Sequence, residues 1–513
     1  MPPIVKKEKR NVIPRWRSFH QTLALGELAR SPKTLPPTED GELGKRLWEW
    51  KRDRTIWHAS DLVACAFILQ RPDFAREAAE FILAAPSAPA AAVSLASTLL
   101  NRNAGASQTE AGSEDTIDAH TAVHKARERL RDDPRNAIQW VDLALQYTVL
   151  GVEPKALRAI DIALNLAPNN RFVLRAASRF YVHHGDADRA HTMLKNAPST
   201  RTDPWLVAAE IALASAAGIP SRFAKLGQKL LQDESINPKH STELASELAT
   251  LELSNGKMLN AKRLFRKSFN GANENSLAQA EWAWKELSGH QLDVSGFNVP
   301  YNFEALAWDA FKRREWELAL ANSRSWLNDQ PFSRRPAILG SYIASSVLED
   351  HRTAIDIISR SLLPNPYDPI LSNNLAFSLV SLGQLQQAEL VLEKADMSKA
   401  TPFDRACLKA TEGMLRFRKG RIEEGRALYR ESLNITRQIK NTALHADALI
   451  HLAIEEIRAD SDVAEESAAA ALRASENQFN PTTTVLLKRL TRELEKHMAK
   501  AGTLGRSRTP EAR

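Results

Sequence analysis

His120 and His124 are the nearest thing in this 513-residue chain to a metal-binding signature, since residues four apart on a helix share one side. No third ligand stands at a telling distance, so the pair reads as a solvated helix face. Cys65 and Cys407, the two cysteines, are far apart and have no partners at metal-ligand spacing. They offer no disulfide framework and fit a reducing, cytoplasmic setting. His183 and His184 read as exposed loop residues beside a turn. The adjacent carboxylates Glu423/Glu424 and Glu455/Glu456 point in different helix directions and read as solubilising charge rather than as an acid–base pair. Phosphate-cradling G-x4-G-K-[ST] loops, dinucleotide glycine fingerprints and H-E-x-x-H helices are missing from the sequence. It therefore offers no catalytic residue, no metal ligand set and no cofactor.

Basic chemistry is concentrated at the two ends. The net charge is +7, with +5 in residues 1–20 and +5 in residues 488–513, leaving a body of −3. In the N-terminal segment Lys6, Lys7, Lys9, Arg10, Arg15 and Arg17 flank Trp16, while Pro2, Pro3 and Pro14 oppose a regular helix. Three uses fit Arg15, Trp16 and Arg17: gripping nucleic acid through phosphates and stacking, docking Trp16 into a protein pocket, or a solvated leader. Charges follow the first residues at once, with no apolar core of a secretory signal. The most apolar stretch, near 78–100, is broken by Glu80, Pro86 and Pro89, which opposes a membrane span.

The elements that must position these residues are short helices. Segments such as 137–149, 154–166 and 370–382 carry apolar residues at three- and four-residue intervals and are punctuated by Gly, Asp, Asn and Pro. Leu43, Leu47, Trp50 and Trp57 fall on one helix face, which places Trp50 and Trp57 in a core. Helices of about 12 to 14 residues at regular spacing point to stacked hairpins. The clearest unit places Trp140, Leu143, Ala144, Tyr147, Gly151, Ala156, Ile160, Ala163 and Pro168 in a fixed pattern. Leu174, Ala177, Tyr181, Gly185, Ala190, Leu194 and Ala197 repeat it in phase. Leu375, Ala376, Leu379, Gly383, Ala388, Leu392 and Ala395 repeat it again.

This pattern closely resembles the tetratricopeptide repeat (TPR), whose period is about 34 residues. The resemblance is specific over 137–200 and 300–435. It implies an all-α, right-handed solenoid of helix-turn-helix hairpins, with degenerate N-terminal repeats and a C-terminal capping helix. The expected organisation is a basic, extended arm at 1–40, then degenerate hairpins at 41–134 with a mobile loop near 101–117. A first array at 137–290 and a second at 300–475 follow, then a capping helix at 482–500 and a disordered tail at 501–513. The blurred region 274–298 is expected to be helical.

In such arrays the first helix of each hairpin lines the concave face. By that resemblance the groove of the second array includes Trp308, Phe311, Leu339, Ile343, Phe377, Val380, Met414 and Phe417, an unusually apolar strip. Either it binds a protein partner, or it is filled internally by the N-terminal segment or a tight superhelix. In the first array the matching positions include Arg175 and Arg179, which either clamp a carboxylate or form salt bridges. Some family members clamp C-terminal carboxylates with a Lys/Asn/Arg constellation, whose asparagines are missing here from the preceding helix. The leading functional reading is a non-enzymatic adaptor that binds a protein or peptide in its groove. The alternative is a nucleic-acid-associated accessory protein using its basic ends, against which the body charge of −3 weighs.

Overall fold

Helices start where a side chain can accept from their orphan N–H groups. The computed structural model describes residues 13–19, 39–68, 71–102, 112–476 and 481–506. Within it, Asn136, Asn170, Asp203, Asn237, Asn273, Asp368, Thr401 and Asn441 each cap the first helix of a hairpin. Pro204, Pro238, Pro369 and Pro402 then take the first helical position, where the missing N–H costs nothing.

Twenty-five α-helices and no strand occur among the described residues. The N-terminal part holds α1 (Glu39–Arg52), α2 (Ile56–Ile68), α3 (Arg76–Ala84), α4 (Ala90–Arg102) and α5 (Gly112–Asp132). Regular hairpins follow as α6 (Ala137–Val149) with α7 (Glu153–Leu166), and α8 (Arg171–His183) with α9 (Ala187–Asn196). Next come α10 (Pro204–Ala216) with α11 (Ala224–Gln232), and α12 (Pro238–Ser254) with α13 (Met258–Ser268). Their first helices keep the period of about 34 residues.

After α14 (Glu274–Ser288), Gly289 turns left-handed and ends the helix, so the expectation of helix to 298 is corrected. An irregular segment takes the place of the second helix and buries Leu292 and Val294 against Trp284 and Ala305. The array resumes with α15 (Phe303–Arg313), α16 (Trp316–Asp329), α17 (Arg334–Tyr342) and α18 (His351–Leu362). A π-helical turn at Ile343–Val347 extends α17. The chain ends with α19 (Pro369–Ser381), α20 (Leu385–Lys394), α21 (Pro402–Arg418), α22 (Ile422–Gln438), α23 (Thr442–Arg458), α24 (Ala464–Ser475) and α25 (Pro481–Arg506).

Packing follows the sizes of the repeat residues. Ala144, Ala156 and Ala163 are fully buried and let paired helices approach, while Ile160 and Tyr147 fill the space between hairpins. Trp50 is buried as expected, but the helix breaks at 53–55 and Trp57 belongs to α2, half-buried against the core of the first array. Two boundaries shift from expectation. Of the loop near 101–117, residues 103–111 lie outside the described residues, and the rest is helical. The terminal helix runs to Arg506, which makes 501–506 helical; residues 507–513 lie outside the described ones.

The array also turns back on itself. Phe332 and Leu363, from the α16–α17 and α18–α19 connections, join the core built by α6 to α9. His183 Nε2 donates to the carbonyl of Pro364 at 3.2 Å. Gly151 and Gly185 occupy the same turn in successive hairpins, with φ +68 and +80, but their surroundings differ. A Cβ on Gly151 would collide with the backbone carbonyl of Leu363, whereas one on Gly185 would meet nothing. Gly185→Ala should therefore cost about 1 kcal/mol, the left-handed penalty alone. Gly151→Ala should cost clearly more, because the closure must shift as well. Urea midpoints of the two variants check this, and equal losses would mean that the two parts do not meet at Gly151.

Candidate partner interface inside the superhelical turn

The N-terminal arm occupies the space the turn encloses. Residues 13–18 form neither helix nor strand, and Trp16 is 1% exposed, with its ring 6.2 Å from Phe180 and 5.5 Å from Phe332. The indole thus bridges α8 and the α16–α17 connection, which lie far apart in sequence. Arg15 Nη2 donates to Glu304 Oε2 at 2.8 Å. Arg17 grips Asp329 with Nε and Nη2 at 2.5 and 2.8 Å, and donates to Glu274 at 2.7 Å. It also stacks 4.9 Å from the Tyr301 ring centroid. The Phe19 amide donates to Asp142 at 2.9 Å. The sequence reading offered Trp16 to a pocket on a protein partner; here the pocket that holds it belongs to its own chain, with Arg15 and Arg17 ion-paired on either side.

Nothing in the sequence marks the arm's acidic receptors. Glu304 and Glu274 stand in the first turns of α15 and α14, where acids are ordinary dipole partners. Asp329 closes α16 at a position the repeat does not specify. Only the superhelical turn brings the three to the arm.

Of the two readings of the apolar strip of the second array, the packing of its residues matches internal filling. Leu339, Ile343, Phe377, Val380, Met414, Phe417 and Phe311 are all buried, and Trp308 is half-buried. Phe311, Leu339 and Ile343 share a cluster touched by Val485 of α25. Met414 and Phe417 pack with Tyr429 of α22 and with Leu444 and Ala448 of α23. Phe377 meets the His451 ring edge-on at 5.6 Å. The terminal helix is therefore more than a cap. Leu486 and Leu490 are buried against Ile450, Ile454 and Ile457 of α23. Arg489 donates to the Ser346 carbonyl at 2.8 Å, and Arg492 pairs with Glu349 at 2.9 Å. Met498, farther along the same helix, is exposed.

Arg175 and Arg179 part company. Arg175 makes a two-pronged pair with buried Glu243, at 2.8 and 3.1 Å, and Asn273 and Asn275 also donate to that carboxylate. It forms the salt bridge. Arg179, one turn on, has no carboxylate within ion-pair distance among the described residues; it lies 5.2 Å from the Phe332 ring and 3.4 Å from Ser333 Oγ. Burial, then Arg335 and Arg15, lower its pKa to about 10.

Most of the histidines and one of the carboxylate pairs are drawn into the packed array, so the reading of His120 as part of a solvated face is corrected. His120 is held neutral by burial, its pKa near 4, and no group of three metal-binding side chains occurs among the described residues. His183 and His184 are half-buried at the closure rather than exposed, and burial pushes His183 down to about 3. Glu423 and Glu424 are exposed, but Glu455 and Glu456 are buried and held two-pronged by Arg418 and Arg426. Both cysteines are buried thiols, and no helix among the described residues is long and apolar enough to cross a membrane.

No family model matches the sequence, and no curated protein matches it significantly. Among solved structures, the chain is similar to the APC/C hetero-tetramer Cut9-Hcn1, at 12% identity and TM-score 0.38, covering 89% of this chain and 96% of that one. Yeast Tom70 aligns at 13% identity and TM-score 0.30, covering 88% and 97%. A human IFIT1 dimer with m7Gppp-AAAA aligns at 12% and 0.32, covering 91% and 96%. At such identities and scores the protein's own residues must carry its functional reading.

Two measurements check this geometry. Trp16→Ala removes a fully buried indole and should cost about 3–5 kcal/mol, read as a lower urea midpoint; a change within error would mean the arm is undocked in solution. Asp447 is buried, accepts from Thr483 of α25 at 2.8 Å, and has its pKa raised by burial to about 7. Ionisation is therefore penalised in the folded state, and that penalty develops as pH rises from about 4 towards 7. Asp447→Asn should melt close to wild type at pH 4 and higher than wild type at pH 8.

Proposed function

We propose that the protein is a non-enzymatic scaffold that holds a protein or peptide partner on a solenoid made rigid by its own two termini. The observation that carries this reading is the use of the chain's interior charge. Glu243, Glu281, Glu455 and Glu456, all buried, are each matched by an arginine or lysine on a neighbouring helix. Groups so matched fix geometry; none is left as an activated base beside a nucleophile. The surface that remains for a partner is the mouth of the superhelical turn beside the arm, rather than the apolar strip. Charged substitutions at Phe377 or Met414 would unfold the array instead of reporting on a surface.

The nucleic-acid reading loses several of its cations. Arg17, Arg489 and Arg492 already face Asp329, Glu274 and Glu349, and so are not free to replace counterions on phosphates. The test is capture of partners by the full-length protein from nuclease-treated native lysate, with a salt series and chemical cross-linking. A protein retained at moderate salt and cross-linked around α8, α15 and α17 is expected. Recovery of only nuclease-sensitive material, lost steeply with salt, would overturn the scaffold reading.

A further inference from the structure

Beside the docked arm lies a cavity of about 210 Å³, with Arg15, Arg179, Arg335, Glu304, Gln330 and Ser333 in its wall. Its charge does not balance. Glu304 is shared as an ion-pair partner between Arg15 at 2.8 Å and Arg335 at 2.6 Å, the Arg15 contact having hydrogen-bond geometry. Arg179 is left over. Its Nε is shielded from solvent and has no hydrogen-bond partner, and its single polar contact, to Ser333, is long. Counting Arg17 with its two carboxylates, four guanidiniums face Glu304, Asp329 and Glu274, and the surplus positive charge falls at Arg179, beside a space large enough for a small polyatomic group. A partly buried cation with no carboxylate in direct contact is costly, and the lowered pKa of Arg179 agrees with that cost. Planar guanidiniums on rigid helices are suited to the two oxygens of a carboxylate or a phosphate.

We propose that this cavity binds a small oxyanion, a carboxylate or phosphate group, held by Arg179 and flanked by Arg15 and Arg335. The three arginines come from α8, α17 and the N-terminal arm, so the site is assembled only when the superhelical turn is closed and the arm is docked. Anion binding and arm docking then reinforce each other, since a ligand that requires the closed state stabilises it. The site goes beyond the scaffold reading and stands whether or not a protein partner exists.

The test uses the full-length protein in a buffer free of multivalent anions, titrated separately with inorganic phosphate and with acetate. Calorimetry should show saturable binding of at least one of them, near one per chain, and the melting temperature should rise with its concentration. The anion that binds more tightly identifies the source of the oxyanion. Arg179→Met should weaken binding at least about tenfold, the scale of a lost charge-assisted fork. Without anion it should melt no lower than wild type, because it removes a partly buried charge with no carboxylate in direct contact. Arg179→Lys keeps the charge without the fork and should fall between; it carries the comparison if Arg179→Met does not fold by circular dichroism. No saturable heat with either anion, or binding unchanged in the folded variants, would overturn the proposal.

Discussion

Trp16, clamped between Phe180 and Phe332, is the contact on which the closed form of this array depends. A solenoid is ordinarily one-dimensional, each hairpin touching only its neighbours, so its stability is a sum of local terms. Here the indole ties α8 to the α16–α17 connection, and Arg15 and Arg17 extend the tie to α14, α15 and α16. His183 with Pro364, and Gly151 beneath Leu363, seal the turn from the other side. Each contact closes a loop of well over a hundred residues, and the first of them bears most of the entropy cost. Later contacts then form between surfaces already held together.

The charges inside the array act on the same requirement. Burying a carboxylate is expensive, and an arginine opposite it recovers the cost only when geometry is good and every oxygen is satisfied. Glu243 meets that standard with Arg175, Asn273 and Asn275, and Glu455 and Glu456 meet it with Arg418 and Arg426. Such pairs add little net stability over apolar packing, but a slipped register would strand a charge. They therefore select one superhelical arrangement among the many that repeated alanines and leucines would tolerate. Arg179 departs from that economy, and the departure falls at the one place where arm and both arrays meet.

What could be read from the sequence was the local chemistry. Asn136, Asn170 and Asp368 announce helix starts, Gly151, Gly185 and Gly383 announce the turns, and the alanines at 144, 156 and 163 announce close helix contacts. The repeat that these residues spell out was therefore legible. The resemblance to the repeat assigns Phe377, Met414 and Arg179 to an inward face. It could not say what the inward face meets, because that is set by superhelical closure and by partners distant in sequence. Trp16 and Phe332, or Arg489 and Ser346, obey no spacing rule. The same blindness made His183, His184, Glu455 and Glu456 look like surface residues.

The docked arm also constrains what an external partner can do. A segment tethered to its own receptor acts at an effective concentration on the order of millimolar, and Trp16 adds a buried aromatic anchor flanked by two ion-paired arginines. A free peptide that merely resembled the arm would lose that competition unless its intrinsic affinity were much higher. What the docked arm leaves accessible lies beside it, where Arg335 is partly exposed while Arg15 is largely covered. In that sense the arm is a structural wall of the enclosed space, its tryptophan buried in the core and its arginines facing the carboxylates around it.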